Sequence, residues 1–319
     1  MKQNIFNFYV GLSLILGLAL SCKDKPKNSR TDTYSSGTIT FVADESFSRI
    51  IDEEVEVFEY TYPKAKLKPI YTNEYDGINM LLKEKTWLVF TSRRLTAKEE
   101  QNLKDRKFRP FAIPLAYDGL TLIVNNENPD TIISVQDFKQ ILLGKVTKWS
   151  EIYPHSKLGD IEVTFDNKKS STVQFCVDSI LDGTTINSPN IYAVEKSAEV
   201  VDFVEKNKNA IGIIGSNWLN DKRDTTNVTF KKNIKVMGVS RIHPATVESS
   251  WQPYQYYLFN GNYPLVRTIY AIVNDPLHGL PWGFANFIAA DFRGQKIILN
   301  AGLLPFKANV EVREVVIDN

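Results

Sequence analysis

The stretch from Trp87 to Glu100, WLVFTSRRLTAKEE, decides how this chain is read. Trp87 to Phe90 is a short apolar run and predicts a buried strand. Thr96-Ala97-Lys98-Glu99 has the spacing of a capping box, so a helix is expected just after Thr96. Between them lies Thr91-Ser92-Arg93-Arg94, a hydroxyl-rich, cationic loop at the carboxyl end of a strand. Open α/β sheets bind ligands at such ends. Backbone N–H groups, hydroxyl donors and guanidinium charge together suit an oxyanion. The same composition also suits an ordinary solvated loop, so the surrounding chain has to decide.

Upstream, Thr38 to Ala43 (TITFVA) predicts a strand, and Asp44-Glu45-Ser46 opens a helix. Phe47, Ile50, Ile51, Val55 and Phe58 lie on one face of that helix, which Pro63 ends. Leu67 to Tyr71 is a second strand, and Glu74-Tyr75-Asp76-Gly77 begins a second helix. Downstream of the Thr96 helix, Phe108 to Leu115 is a further apolar strand. This β-α-β-α-β order predicts a mostly parallel sheet with helices on both faces.

Tyr117-Asp118-Gly119 interrupts the pattern. A second α/β unit follows: a strand at Leu120 to Val124, a helix capped by Ser134 with Asp137 at its third position and stopped by Gly144, and a strand at Asp160 to Phe165. Ser170-Ser171-Thr172 precedes a helix carrying Val173, Cys176, Val177, Ile180 and Leu181. A helix over Ser197 to Lys206 leads into the buried strand Ala210 to Ile214. Then come a tyrosine-rich tract from Trp251, a strand at Val266 to Val273, and two helices near Pro281 to Ala290 and Arg293 to Asn300. The second unit is thus inserted into the first. Crossings at Ala116–Gly119 and Tyr263–Val266 predict a hinge, and a hinge between two domains makes a cleft.

At 319 residues, 43% hydrophobic and 24% charged, the chain can build one large domain or two smaller ones. A net charge of +1 argues against nucleic acid and against a polybasic membrane surface. Lys2, the apolar run Phe8 to Leu20 and the small residues before Cys22 form an export signal, residues 1–22. Ser21-Cys22 resembles a bacterial lipobox, which implies lipid on Cys22 and attachment to a membrane without spanning it. Ala19 departs from the Leu usual in that motif. Lys23 to Ser36 reads as a flexible tether. Cys176 then remains alone, in an apolar helical pattern, and is expected in the core rather than in a disulfide.

From about Gly37 to Phe306 the chain resembles the substrate-binding proteins of ABC phosphate importers, the PstS-like family. TSRRLTAKEE resembles that family's S-R-x-L-x-x-E-E segment. ISVQDFKQILLGKVTKWSEI resembles its acidic helix followed by G-K-x-T-x-W, with Gly144, Lys145, Thr147 and Trp149 at the family's spacing. NAIGII, YPLVRTIYAIV and GQKIILNAGLLPF resemble later segments, in order.

The resemblance implies a type II periplasmic binding protein fold: α/β, two lobes, two mixed sheets flanked by helices, and a two-strand hinge. Lobe I would be residues 37–116 with 264–319, and lobe II residues 117–263. It also implies a periplasmic location, a monomer, phosphate or a similar small oxyanion between the lobes, a permease and ATPase complex as partner, and no cofactor or metal. Carried over residue by residue, the donor groups are Ser46-Phe47, the loop containing Glu74 and Tyr75, Ser92-Arg93, and Ser170, Ser171 and Thr172. Two departures stand out. The loop Asn73 to Gly77 has lost the family's hydroxyls and gained carboxylates. The second-lobe motif reads Asp166-Asn167-Lys168-Lys169-Ser170-Ser171-Thr172-Val173, with both arginines gone. A buried oxyanion needs its charge paired. Lys168 or Lys169 would be a replacement, as a point charge rather than a planar fork.

Other readings are an anion sensor without transport, a ferric-ion binder using Tyr256-Tyr257 with Glu74 and Asp76, and an enzyme. No nucleophile motif accompanies His155, His243 and His278, so an enzyme is not expected.

Overall fold

The computed structural model of the chain describes residues 30–219 and 233–307. The export signal, Cys22 and the first part of the tether lie outside them.

Strand β1 (Gly37–Asp44) alternates its side chains between two helix layers. Ile39, Phe41 and Ala43 pack into one core with Phe47, Ile50, Ile51 and Phe58, the last three from helix α1 (Ser48–Thr61), and with Phe284. Val42 points the other way, onto Ile78 and Leu81 of α2 (Glu74–Leu82). The period-2 strand and the period-3.6 helix are thus read out by the same core. β1 pairs in parallel with β2 (Ala65–Thr72) and β3 (Leu88–Thr91), as the β-α-β-α-β order predicts. Helix α3 (Ala97–Asp105) starts from a complete Thr96–Glu99 capping box.

The predicted break at Tyr117–Gly119 is absent. β4 (Phe111–Asn125) runs through it as one fifteen-residue strand. Its first half pairs antiparallel with β12 (Val266–Val273), and its second half with β8 (Ala210–Gly215). Gly119 fits here because a Cβ would lie 2.6 Å from the Pro253 side chain. The sheet order is β2-β1-β3-β12-β4-β8-β6-β7, where β6 is Glu162–Phe165 and β7 is Ile191–Ala193; β9 (Ile234–Val236) pairs with the end of β4, and β5 (Ile132–Ser134), β10 (Gly238–Ser240) and β11 (Ser250–Trp251) form a separate three-stranded sheet. The sheet is mixed, since β12 and β4 run against their neighbours while β6 is parallel to β8 and β7.

Two groups of buried side chains cover this sheet. The first draws on residues 39–116 and 269–303. The second, over residues 120–265 with Leu304, is centred on Trp149, Phe138 and Phe165. They are separate hydrophobic cores, a first and a second. In the second, Ser134 and Asp137 cap α4 (Val135–Leu142), and Gly144 follows it with φ +71°, where a Cβ would meet the Asn187 carbonyl oxygen at 2.6 Å. Trp149 is fully buried and its indole N–H donates to the Asn209 carbonyl at 3.0 Å. The G-K-x-T-x-W motif is therefore a structural one.

Part of the predicted tether is folded. The Asp32 carboxylate accepts from the Leu280 N–H at 2.7 Å, and Gly283 lies against the Tyr34 carbonyl. Among the described residues no helix is long and apolar enough to cross a membrane.

Candidate functional site

β1 and β3 end at Asp44 and Thr91, β6 at Phe165 and β8 at Gly215, so the chain turns that follow carry the polar groups. The turn after β1 is a 3-10 turn, Glu45–Phe47, with Asp44 as its cap. The turn after β6 leads to α5 (Ser171–Phe175), capped by Ser170. Here Asp44 and Ser46, on the side of the first core, meet Ser171, on the side of the second.

Asp44 is the acceptor at the centre. Its Oδ1 takes the Ser46 N–H at 3.0 Å, the Ser46 hydroxyl at 2.5 Å and the Ser171 hydroxyl at 2.9 Å. Its Oδ2 takes the Ser171 N–H at 3.2 Å. Arg267, on β12, donates from Nη1 to Ser171 Oγ at 2.7 Å and from Nη2 to Ser46 Oγ at 3.4 Å. Each hydroxyl thus passes guanidinium charge on to the carboxylate.

Arg267 is itself buried, lies over the Phe47 ring at 4.9 Å, and donates from Nε to Asp118 Oδ2 at 2.8 Å. Asp118 also accepts the N–H and hydroxyl of Ser216, both at 2.8 Å. Gly215 leaves room for this pair, since a Cβ there would lie 2.8 Å from Asp118 Oδ2 and 3.1 Å from Arg267 Nη2. Burial works against the guanidinium charge, but Asp118, Asp44 and Asp166 more than offset it and raise its pKa.

The remaining candidates are also held by carboxylates of the chain. Thr172 donates to Asp166 Oδ1 at 2.5 Å, and Ser170 is linked to Thr172 at 2.8 Å. Burial pushes Asp166 up to about 6, with the Asp44 charge adding to it. Glu45 accepts the N–H and hydroxyl of Ser197 at 2.9 Å and is pushed by burial up to about 7. Glu74 Oε2 accepts from Thr91 Oγ1, from the Ser92 N–H at 2.6 Å and from Ser92 Oγ at 2.9 Å. Burial raises the Glu74 pKa, and Asp44 adds to it.

The structure does not bring every candidate to the centre. Arg93 forks onto Glu99 at 2.8 and 2.9 Å, with Glu74 3.8 Å from its Nε. Tyr75 is exposed and lies under the Lys169 ammonium at 5.1 Å. Lys168 and Lys169 are exposed, so neither replaces the lost arginines. Tyr256 and Tyr257 pack edge to face at 5.4 Å, with Tyr257 against Trp251. Among the described residues no group of three or more His, Cys, Asp or Glu side chains is placed to hold a metal ion. Asp44, Asp118, Ser216 and Arg267 were not among the expected site residues. A signal for Arg267 existed: it shares the inward register of β12 with Ile269 and Ala271, and a cation there requires a buried partner.

Among known proteins, the phosphate-binding protein PstS of Staphylococcus saprophyticus is 25% identical over 202 residues, covering 62% of this chain and 57% of that protein. The phosphate-binding protein PstS of Staphylococcus epidermidis is 22% identical over 274 residues, covering 83% and 77%. A crystal structure from Clostridium perfringens, described as a phosphate ABC transporter substrate-binding protein with bound phosphate, superposes with a TM-score of 0.69 at 20% identity. It covers 85% of this chain and 100% of that one. This likeness shows the two-lobed α/β fold. Residues 28–291 match the family model described as a PBP superfamily domain, and the chain belongs to that superfamily, a family of binding proteins rather than enzymes.

Proposed function

We propose that the protein is an extracytoplasmic binding protein that captures phosphate, or a similar small tetrahedral oxyanion, between its lobes for an ABC importer. One observation carries this reading. Hydroxyl and N–H donors of Ser46 and Ser171, from opposite lobes, converge on a single acceptor position, and Arg267 backs them by donating to both hydroxyl oxygens. A fixed guanidinium with hydroxyl and backbone donors is the chemistry of oxyanion recognition. The relatives named above as phosphate-binding proteins support the same ligand.

In this reading Ser46, Ser171 and Arg267 hold the anion and Phe47 backs the guanidinium. Ser92, Ser170 and Thr172 stand behind them. Lobe I comprises residues 37–116 and 264–307, and lobe II residues 117–219 and 233–263; residues 220–232 and 308–319, which the expected bounds also take in, lie outside the described residues. Closure turns on β4 and on the segment Tyr263–Val266. The permease and ATPase complex is the partner, Cys22 carries the lipid anchor, and the protein works as a monomer.

Isothermal titration of the lipid-free protein with phosphate, sulfate and ferric ion tests the proposal. Heat with phosphate, lost in Arg267→Gln, is the expected result. Ferric binding with no anion binding overturns it.

A further inference from the structure

Asp44 has the surroundings of a bound ligand rather than of a framework carboxylate. It belongs to the first lobe, yet half of its hydrogen bonds come from Ser171 of the second. Both its oxygens are occupied, and its residue is 2% exposed. If the side chain were removed, two hydroxyls and two backbone N–H groups would face a space the size of a carboxylate, with the Arg267 guanidinium behind both hydroxyls. An incoming oxyanion has use for the same four donors. It cannot share them with the Asp44 carboxylate, because both would occupy the same space and accept from the same donors.

Neighbouring contacts show that the Asp44 turn is where the lobes meet. The Ser46 carbonyl accepts from the Asn217 amide at 3.0 Å and from the Trp218 indole at 2.8 Å, and Arg49 donates to the Asn217 carbonyl at 3.4 Å. Glu74, by contrast, fills the Thr91–Ser92 donors from within the first lobe and joins nothing across the cleft.

We infer that Asp44 is an internal competitor for the binding site: its carboxylate fills the oxyanion position, joins the two lobes when no solute is present, and is displaced when solute binds. The competition rests on the oxyanion reading of the site given above; the joining of the lobes does not. A ligand can shift a conformational equilibrium only by its differential affinity for the two states. Here the closed state already has an occupant, so solute affinity reflects an exchange of one anion for another. The apparent affinity is lowered by the fraction of protein in which Asp44 is seated.

The test uses the full chain as wild type, Asp44→Ala and Asp44→Asn, with inorganic phosphate as probe. Small-angle scattering reports lobe separation and titration calorimetry reports affinity. Without phosphate, the wild type should be compact and Asp44→Ala more extended, and phosphate should compact the variant. Phosphate affinity should rise about tenfold or more in Asp44→Ala, since an equilibrium constant that was limited by competition is relieved. Asp44→Asn keeps the volume without the charge, should fall between the two, and serves where the Ala variant does not fold. Expansion of Asp44→Ala with no phosphate binding by any of the three proteins would support the internal lock and overturn the phosphate reading. Equal compaction of wild type and both variants, with phosphate affinity unchanged or lower, would overturn the inference.

Discussion

Two carboxylates, Asp44 and Glu74, sit under hydroxyl-bearing turns at the ends of neighbouring parallel strands, and the chain treats them differently. Asp44 has both oxygens bonded and Arg267 two bonds away through Ser46 and Ser171. Glu74 has one oxygen carrying three bonds and the other with no hydrogen-bond partner among the described residues, with Arg93 Nε 3.8 Å from it. Both are buried. The difference is where the donors fall: four are spread over both oxygens of Asp44, and three crowd one oxygen of Glu74. Burial raises the Glu74 pKa, and the Asp44 charge adds to it. Arg267, on β12, organises the Asp44 side by donating to both serines and to Asp118, whereas Arg93 turns to Glu99.

The largest test removes that organiser. Arg267→Met leaves Asp118, and behind it Asp44 and Asp166, without their cation. Breaking a buried pair from one side costs about 3–5 kcal/mol. Urea unfolding should show that loss, and Arg267→Met/Asp118→Leu should recover much of it. A loss below about 1 kcal/mol would mean that Arg267 does not hold the cluster.

Serine truncations set the two regions side by side. Ser171→Ala removes the hydroxyl that accepts from Arg267 and donates to Asp44. Ser92→Ala removes one of three donors to Glu74 Oε2. A hydrogen bond to a charged group is worth about 1.5–3 kcal/mol. Ser92→Ala should fall at the low end and Ser171→Ala at or above the high end. The reverse order in denaturant titrations would place the organising centre at Ser92.

How much of this was legible depended on range in the chain. The Thr96–Glu99 and Ser134–Asp137 capping boxes are complete in the structure, because a cap is decided by four consecutive residues. The strand over Thr38 to Ala43 was read from its short apolar run, and it lies within β1. The Arg267–Asp118 pair was not legible: its members are 149 residues apart, and it is made by the pairing of β12 with β4, where the two residues lie directly opposite. Likewise Asp118 was seen only as part of a turn-like Tyr-Asp-Gly. Antiparallel partners on both sides of β4 override that local signal. The resemblance pointed to Ser46, Ser171 and Phe47, but not to the carboxylate of Asp44 between the two serines.

A pH series sharpens the comparison further. Asp166 and Glu45, raised by burial to about 6 and about 7, keep their protons in the folded chain after the unfolded chain has lost them. The stability this gives is complete below the ordinary carboxylate range, near pH 4. It is lost as pH rises through the folded values. Calorimetric melting should therefore come at a lower temperature at about pH 8 than at about pH 5, with roughly 2–4 °C for each kcal/mol. Asp166→Asn should flatten the slope. A melting temperature that rises across this window would mean that these carboxylates are stabilised as anions.

The smallest expected effect concerns Tyr75, which stands next to Glu74 on the first turn of α2 but does not share its burial. Its ring is exposed and its contact with the second lobe is the Lys169 ammonium at 5.1 Å. A cation–π contact at an exposed site is worth about 0.5–1 kcal/mol. It crosses the cleft, so its loss should bear on closure rather than on the anion. Tyr75→Ala should leave the melting temperature within about 2 °C of wild type, in keeping with an exposed substitution. It should weaken phosphate binding by no more than about fivefold, the equivalent of 1 kcal/mol. Lys169→Ala should do the same, and the double variant should do no more than either, because the two side chains make one contact between them. A drop of a hundredfold or more in Tyr75→Ala would place the ring against the ligand, and would move the recognition of the anion toward the Glu74 turn and away from Arg267.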